Sequence, residues 1–334
     1  LTGCGGQKAP DDANDKSGEG EKKLRVAYVI SGNLGDKSFF DSAMAGVERV
    51  EKEYGAETKV IQSINSADWE PNLEAAAEEG YDVIVVGASQ MHDALTNVAR
   101  QYPDIKFIYL DDVVKGDNIA SITFAQNEGS FLAGALAAMM TTRTELPGMN
   151  EDKIIGWVGG SDIAVLHDFL TGYEQGAKYV DPETKVLASF AGSFNDPAKG
   201  KELTLSQYNQ GADIVMNVAS GTGVGILEAA KDAGKYAIGV DSDQDGIYPG
   251  HILTSMLKRL DNAVYDQVTL FKEGKWQAGH FEYGLKNQGV GLTDMSVMGD
   301  KIPPEVRQKL VEIEEKVQKD EIVVEHYENY KVGQ

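Results

Sequence analysis

The sequence predicts an α/β protein made of two doubly wound parallel-sheet lobes. Short β-branched apolar runs alternate with helical stretches at intervals of about thirty residues, the mark of parallel βαβ units. That alternation occurs twice, from Leu24 onward and again from about Glu128 to Gly250. With 334 residues the chain is also longer than one core usually grows.

The first unit sets the pattern. LRVAYVI (24–30) is an apolar run suited to a buried parallel strand. Ser31 to Gly35 form a glycine- and asparagine-bearing turn. From Ser38 the apolar positions Phe39, Ala43, Gly46, Val47 and Val50 recur at helical spacing. In open α/β sheets ligands collect at the carboxyl ends of the strands. Asp36, Lys37, Ser38, Phe39 and Phe40 stand there, two adjacent aromatics beside an acid.

The remaining elements follow in order. AETKVIQSI is a strand and EPNLEAAAEEG a helix closed at Gly80. YDVIVVGAS is a third strand, Ala94 to Tyr102 a helix, and IKFIYLDDVV a fourth strand, ending at Asp111. NIASITFAQNEGSFLAGALAAMM gives another strand and a small-residue helix. The second series runs through IIGWVGGSD (strand), DFLTGYEQGAKYV (helix), VLASFAGSFNDPAKGKE (strand and turn), TLSQYNQG (helix), ADIVMNVASG (strand), GILEAAKDAG (helix) and YAIGVDSDQDG (strand and loop). HILTSMLKRLDNAVYDQVTLFKEG is briefly strand-like and then helical, and PPEVRQKLVEIEEKVQKDE is an acidic amphipathic helix with a solvated outer face.

Composition excludes several function classes. A net charge of −22 argues against nucleic acid as a partner. No apolar run reaches the roughly eighteen residues of a membrane span. The single cysteine, Cys4, rules out a disulfide framework and a cysteine-rich metal site. Leu1-Thr2-Gly3-Cys4 matches the end of a bacterial lipoprotein signal, and Gly5 to Lys23 is too polar to form a core. A lipid on Cys4 and a disordered tether over residues 1–23 are therefore expected, anchoring the protein at the extracytoplasmic face of the cell membrane.

Catalytic signals are weak. The five histidines have no metal-ligand spacing, and no nucleophile elbow or P-loop is present. The turn Ala219 to Gly225 has a dinucleotide-like glycine pattern, but Ile226 stands where the third glycine belongs. Its backbone is expected to approach a ligand at Gly221. Asp241 to Gly246 imitates half of a calcium loop, but the twelfth position is Ile252 rather than Glu. Asp241 is expected to project into the cleft, with Asp243 and Asp245 facing water. No enzyme activity, metal or cofactor is expected.

What remains is a set of strand-end residues of two kinds. Phe39, Phe40 and Phe194 could sandwich a flat ligand. Asp36, Asp111, Asp241 and Lys258 could hydrogen-bond its hydroxyls and ring edge.

The motifs GDKSFFDSAMAG (35–46), NEGSFLAGALAA (127–138), GSFNDPAKGKE (192–202), ASGTGVG (219–225), IGVDSDQ (238–244), LTSMLKRLD (253–261) and GVGL (289–292) together resemble the basic membrane protein family of bacterial lipoproteins, which includes purine nucleoside receptors of ABC importers. The resemblance implies a type I periplasmic-binding-protein fold with three crossover segments, near Ala125, Leu253 and Tyr283. It divides the chain into a first lobe (24–126 plus 253–283) and a second (127–252 plus 284–334). It implies that Phe39 and Phe194 hold a base and that Asp241 and Lys258 hold the ribose, with Asp36, Asp111 and Gly221 at the pocket. A nucleoside ligand, an ABC permease and a monomeric state are the partners it implies. Phe40 replaces the family's usual Asn, and Ser31-Gly32 stand where many members carry Asp, so a more apolar slot is expected and the preferred base stays open. A sugar or autoinducer-type ligand, or a nucleoside-processing enzyme, is the alternative.

Overall fold

The computed structural model describes residues 22–332. Cys4 and all but the last two residues of the tether lie outside the described residues.

The first series comprises β1 (Arg25–Ile30), α1 (Phe39–Tyr54), β2 (Glu57–Gln62), α2 (Trp69–Glu78), β3 (Val83–Gly87), α3 (His92–Ala99), β4 (Lys106–Leu110) and β5 (Ile119–Phe124). The second comprises α4 (Gln126–Met140), β6 (Ile154–Gly159), α5 (Ala164–Val180), β7 (Lys185–Phe190), α6 (Pro197–Asn209), β8 (Ile214–Val218), α7 (Gly223–Ala233), β9 (Tyr236–Asp241) and β10 (Ile252–Lys258). The chain then adds α8 (Leu260–Lys272), β11 (Gly279–Tyr283), β12 (Val290–Leu292) and α9 (Pro304–Gln318).

Two six-stranded sheets result, ordered β11-β5-β4-β3-β1-β2 and β12-β10-β9-β8-β6-β7. The orders correspond strand for strand, so the two series are the same architecture built twice. All pairings are parallel except β10 with β12. In each sheet the winding reverses beside the first strand, which opens a crevice at the carboxyl ends of β1 and β3 and of β6 and β8.

The central strands β3 and β8 are buried along their whole length, which is why they read as apolar runs, broken in β8 only by the buried Asn217. The small residues of α4 serve a close helix crossing. A Cβ on Gly134 would sit 2.0 Å from the Tyr173 carbonyl, and one on Gly176 of α5 would sit 1.9 Å from that of Phe131. Side chains there would push the two helices apart.

Two expectations change. Residues 253–258 were expected in the first lobe, but β10 pairs with β9 and β12 in the second sheet. The chain therefore crosses at Arg259, one residue past the strand, and not at Leu253. The other crossings fall where β5 leads into α4 at Ala125 and after Tyr283, and the Ala125 N–H donates to the Tyr283 carbonyl at 2.8 Å. Second, the segment read as a turn through Pro197 to Glu202 is already helical. Asp196 caps α6 by accepting from the Lys199 N–H at 3.0 Å, and Pro197 occupies the first turn, where its missing N–H costs nothing.

Candidate cleft between the two lobes

The first wall begins at α1. Asp36 lies just before the helix, and its carboxylate accepts the backbone N–H groups of Ser38 at 3.0 Å, Phe40 at 3.0 Å and Asp41 at 3.1 Å. These are N–H groups that the first turn of a helix cannot satisfy internally. Asp41 in turn accepts from Gly35 and Lys37, each at 2.8 Å, which fixes the turn that carries Asp36. The aromatic pair is held by the same turn: Phe40 meets Phe39 edge to face at 5.5 Å. A side chain at Gly32 would strike the Phe40 ring at 2.3 Å, so Phe40 fills the space that Gly32 leaves.

The facing wall comes from the loop after β7. Phe194 packs over Gly160, where a Cβ would meet its ring at 2.3 Å. Its carbonyl accepts the Thr222 N–H at 3.0 Å and lies 3.0 Å from where a Gly221 Cβ would stand. Gly221 therefore supports the loop behind Phe194.

Between the walls lies a buried charge cluster. Lys258 is 1% exposed and donates to the Asp111 carboxylate. Its ammonium stands 5.6 Å from the Phe39 ring, 5.2 Å from Phe124 and 5.1 Å from Phe169, within cation–π range of all three. Asp241 ends β9 and accepts from the Ser38 hydroxyl across the cleft. Burial pushes its pKa up to about 7; Lys258 and the Ser38 hydroxyl pull it down, while Asp36 and Asp111 push it up. Burial also raises Asp111, against the pull of Lys258. Asp36 is raised too, chiefly by burial, although Ser220 and the three N–H groups hold it down. Asp111 and Asp241 occupy left-handed backbone positions, φ 76° and 67°, which L-residues adopt rarely and at functional sites more than elsewhere.

A cavity of about 180 Å³ opens among these groups. Of the residues expected from the sequence, Phe39, Phe40, Asp111, Phe194, Asp241 and Lys258 line it. Asp36 and Gly221 do not; they stand behind the walls. Ala88, Ser89 and Gln90, expected at the cleft side of the third strand, also line it, as do Trp69, Phe169, Asn195 and Ser220, which sequence reasoning did not single out. Trp69 gave no strand-end signal because it opens α2, where its indole N–H donates to the Ser63 carbonyl at 2.9 Å.

The expectation that Asp245 faces water is wrong. It is 2% exposed and accepts from Ser255 and Thr293, each at 2.6 Å, fastening the β9–β10 loop to β12. Asp243 remains exposed. Among the described residues no group of three or more His, Cys, Asp or Glu side chains is placed to hold a metal.

The cleft thus brings aromatic faces and a buried charge cluster into one cavity. The sequence profile of the family described as ABC transporter substrate-binding protein PnrA-like matches residues 23–328. The chain belongs to this family, that of the basic membrane proteins. Its members are substrate-binding proteins and not enzymes. An ABC transporter nucleoside-binding protein, BmpA, of Lactococcus lactis is 34% identical over 316 residues, covering 87% of this chain and 86% of that one. An uncharacterized lipoprotein of Pyrococcus abyssi is 36% identical over 288 residues, covering 82% and 70%. A solved ABC transporter solute-binding protein from Aeropyrum pernix superimposes with a TM-score of 0.81 at 28% identity, over 92% of this chain and 94% of that one. The fold is thus the two-lobed one of periplasmic binding proteins. No helix among the described residues is long and apolar enough to cross a membrane.

Proposed function

We propose that this substrate-binding protein captures a nucleoside, with purines favoured, in the interlobe cleft and delivers it to an ABC permease. The observation that carries this reading is the pairing of two kinds of surface in one cavity. Phe39 and Phe194 enter it from different lobes, and the buried Asp111–Lys258–Asp241 cluster lies in the same space. A flat base gains apolar burial between rings. Ribose hydroxyls are donors that suit buried carboxylates. The Lactococcus relative named as nucleoside-binding supports the same ligand class. The lipoprotein-like Leu1–Cys4 motif supports a lipid anchor on Cys4 and an extracytoplasmic location.

Titration calorimetry with adenosine, guanosine, inosine, uridine and ribose tests the reading. Nucleosides are expected to bind at micromolar affinity or better and to be recovered intact. Ribose binding as tightly as every nucleoside would sink it, as would release of free base on incubation.

A further inference from the structure

Four hydrogen bonds cross the cleft at one three-residue segment, Asp36 to Ser38. The Ser220 hydroxyl donates to Asp36 at 2.6 Å, and the Ser38 hydroxyl donates to Asp241. The Ser242 hydroxyl donates to the Ser38 carbonyl at 3.0 Å, and the Gln244 amide to the Lys37 carbonyl at 2.8 Å. Both sides are braced independently of that contact. Asp36 and Asp41 tie the segment to α1, and Gln244 is held by the Val240 N–H at 2.9 Å and by Ser255 at 2.9 Å. Lys37, Ser220 and Asp241, all at the contact, have φ of 54°, 50° and 67°. Such backbone persists where surrounding bonds over-determine it, and clusters at ligand clamps.

The Asp36 carboxylate already has four donors, one for each of its lone-pair sites, and it stands outside the cavity lining. It has nothing left to offer a ligand. We propose that Asp36–Ser38 is an interlobe latch that holds the cleft shut and sets the rate of ligand escape, with Asp36 a positioning residue for the Phe39 wall. Its carboxylate fixes the first turn of α1, on which Phe39 stands, and also catches the opposite lobe. Closing the lobes and aligning the wall are then one event. The effect on escape rests on the cleft being a capture site; the latch itself does not.

The test uses the full chain and adenosine, with release followed by stopped-flow fluorescence of Trp69 in the cleft. Ser242 lies outside the lining, so Ser242→Ala removes a latch bond without touching the ligand's surroundings. On its own it is expected to speed release about fivefold and leave association nearly unchanged, and Ser242→Thr is expected to keep the slow rate. Asp36→Ala and Ser220→Ala each remove the Ser220–Asp36 bond, so their effects on release are expected not to add fully; full additivity would mean that Ser220 acts on the ligand from the cavity lining and not through Asp36, and would overturn that bond's place in the latch. Lobe separation is read without ligand by a spin-label pair at Glu48→Cys and Lys185→Cys in a Cys4→Ser background. The Ser220→Ala/Ser242→Ala chain is expected to populate longer distances than its parent, and an unchanged distribution together with an unchanged release rate overturns the latch. If the parent chain binds no adenosine, only the capture reading fails, and the distance distribution still decides the latch.

Discussion

Asp241 is the residue on which charge and burial compete most directly. Its pKa is about 7 in the folded chain, against an ordinary carboxylate value near 4 when unfolded. Between those values the folded state holds a proton that the unfolded state has lost, so stability is greatest at the acid end and falls as pH rises towards about 7. Asp213, raised to about 6 by burial, acts in the same sense. The ligand-free protein is therefore expected to melt at a lower temperature at about pH 8 than at about pH 5.5. Asp241→Asn should flatten that slope in scanning calorimetry, and an unchanged slope would assign the effect to other groups. The two walls are tested apart from the charges. Phe39→Ala and Phe194→Ala are each expected to weaken adenosine binding at least about tenfold, from lost ring contact. Unchanged affinity in both variants would mean that the base lies elsewhere. Phe39 and Phe194 were legible because each adjoins a turn at a strand end. Phe169 was not: it sits in α5 at helical spacing and is buried to 2% exposure, so nothing in the sequence separates it from a core residue.

At the scale of elements, the crossing of α4 and α5 rests on glycine rather than on apolar side chains. Gly176→Ala would bring a Cβ to 1.9 Å from the Phe131 carbonyl, a backbone atom that cannot swing away. The helices must separate, and a loss of about 3 kcal/mol is expected in urea denaturation. Gly176 itself does not line the cavity, but the start of α5 does through Val165, Leu166 and Phe169, so adenosine affinity of the folded fraction is expected to fall only modestly. A loss below about 0.5 kcal/mol would show that the crossing yields easily. The same scale shows what a sequence can and cannot convey. Strands β1, β3, β4, β8 and β9 are mostly apolar runs and were readable as such. The edge strand β11 was not, because it is mostly exposed or half-buried and has no apolar run. For β10 the strand was visible but its sheet was not: a buried seven-residue strand carries no mark of which neighbour it will pair with. That choice moved the crossing from Leu253 to Arg259. Helix α6 was read too short because the capping pair Asp196-Pro197 looked like turn residues alone.

The whole molecule carries a net charge of −22, and the cleft continues that bias inward. Asp36, Asp111 and Asp241 gather around Lys258, whose ammonium is already committed to Asp111. No second buried cation is among the residues lining the cavity. A ligand bearing donors gains from this arrangement, whereas a ligand bearing a phosphate must bring two negative charges beside buried carboxylates. Like charges placed together at a desolvated contact cost several kcal/mol, and each 1.4 kcal/mol is tenfold in affinity. Adenosine 5′-monophosphate is therefore expected to bind at least about a hundredfold more weakly than adenosine in titration calorimetry. Raising the salt concentration should recover little of that loss, because the repelling carboxylates are buried and poorly screened. Comparable affinities for the two ligands would mean that the phosphate projects out of the cleft, and so that the ribose end points to the mouth and the base towards Lys258.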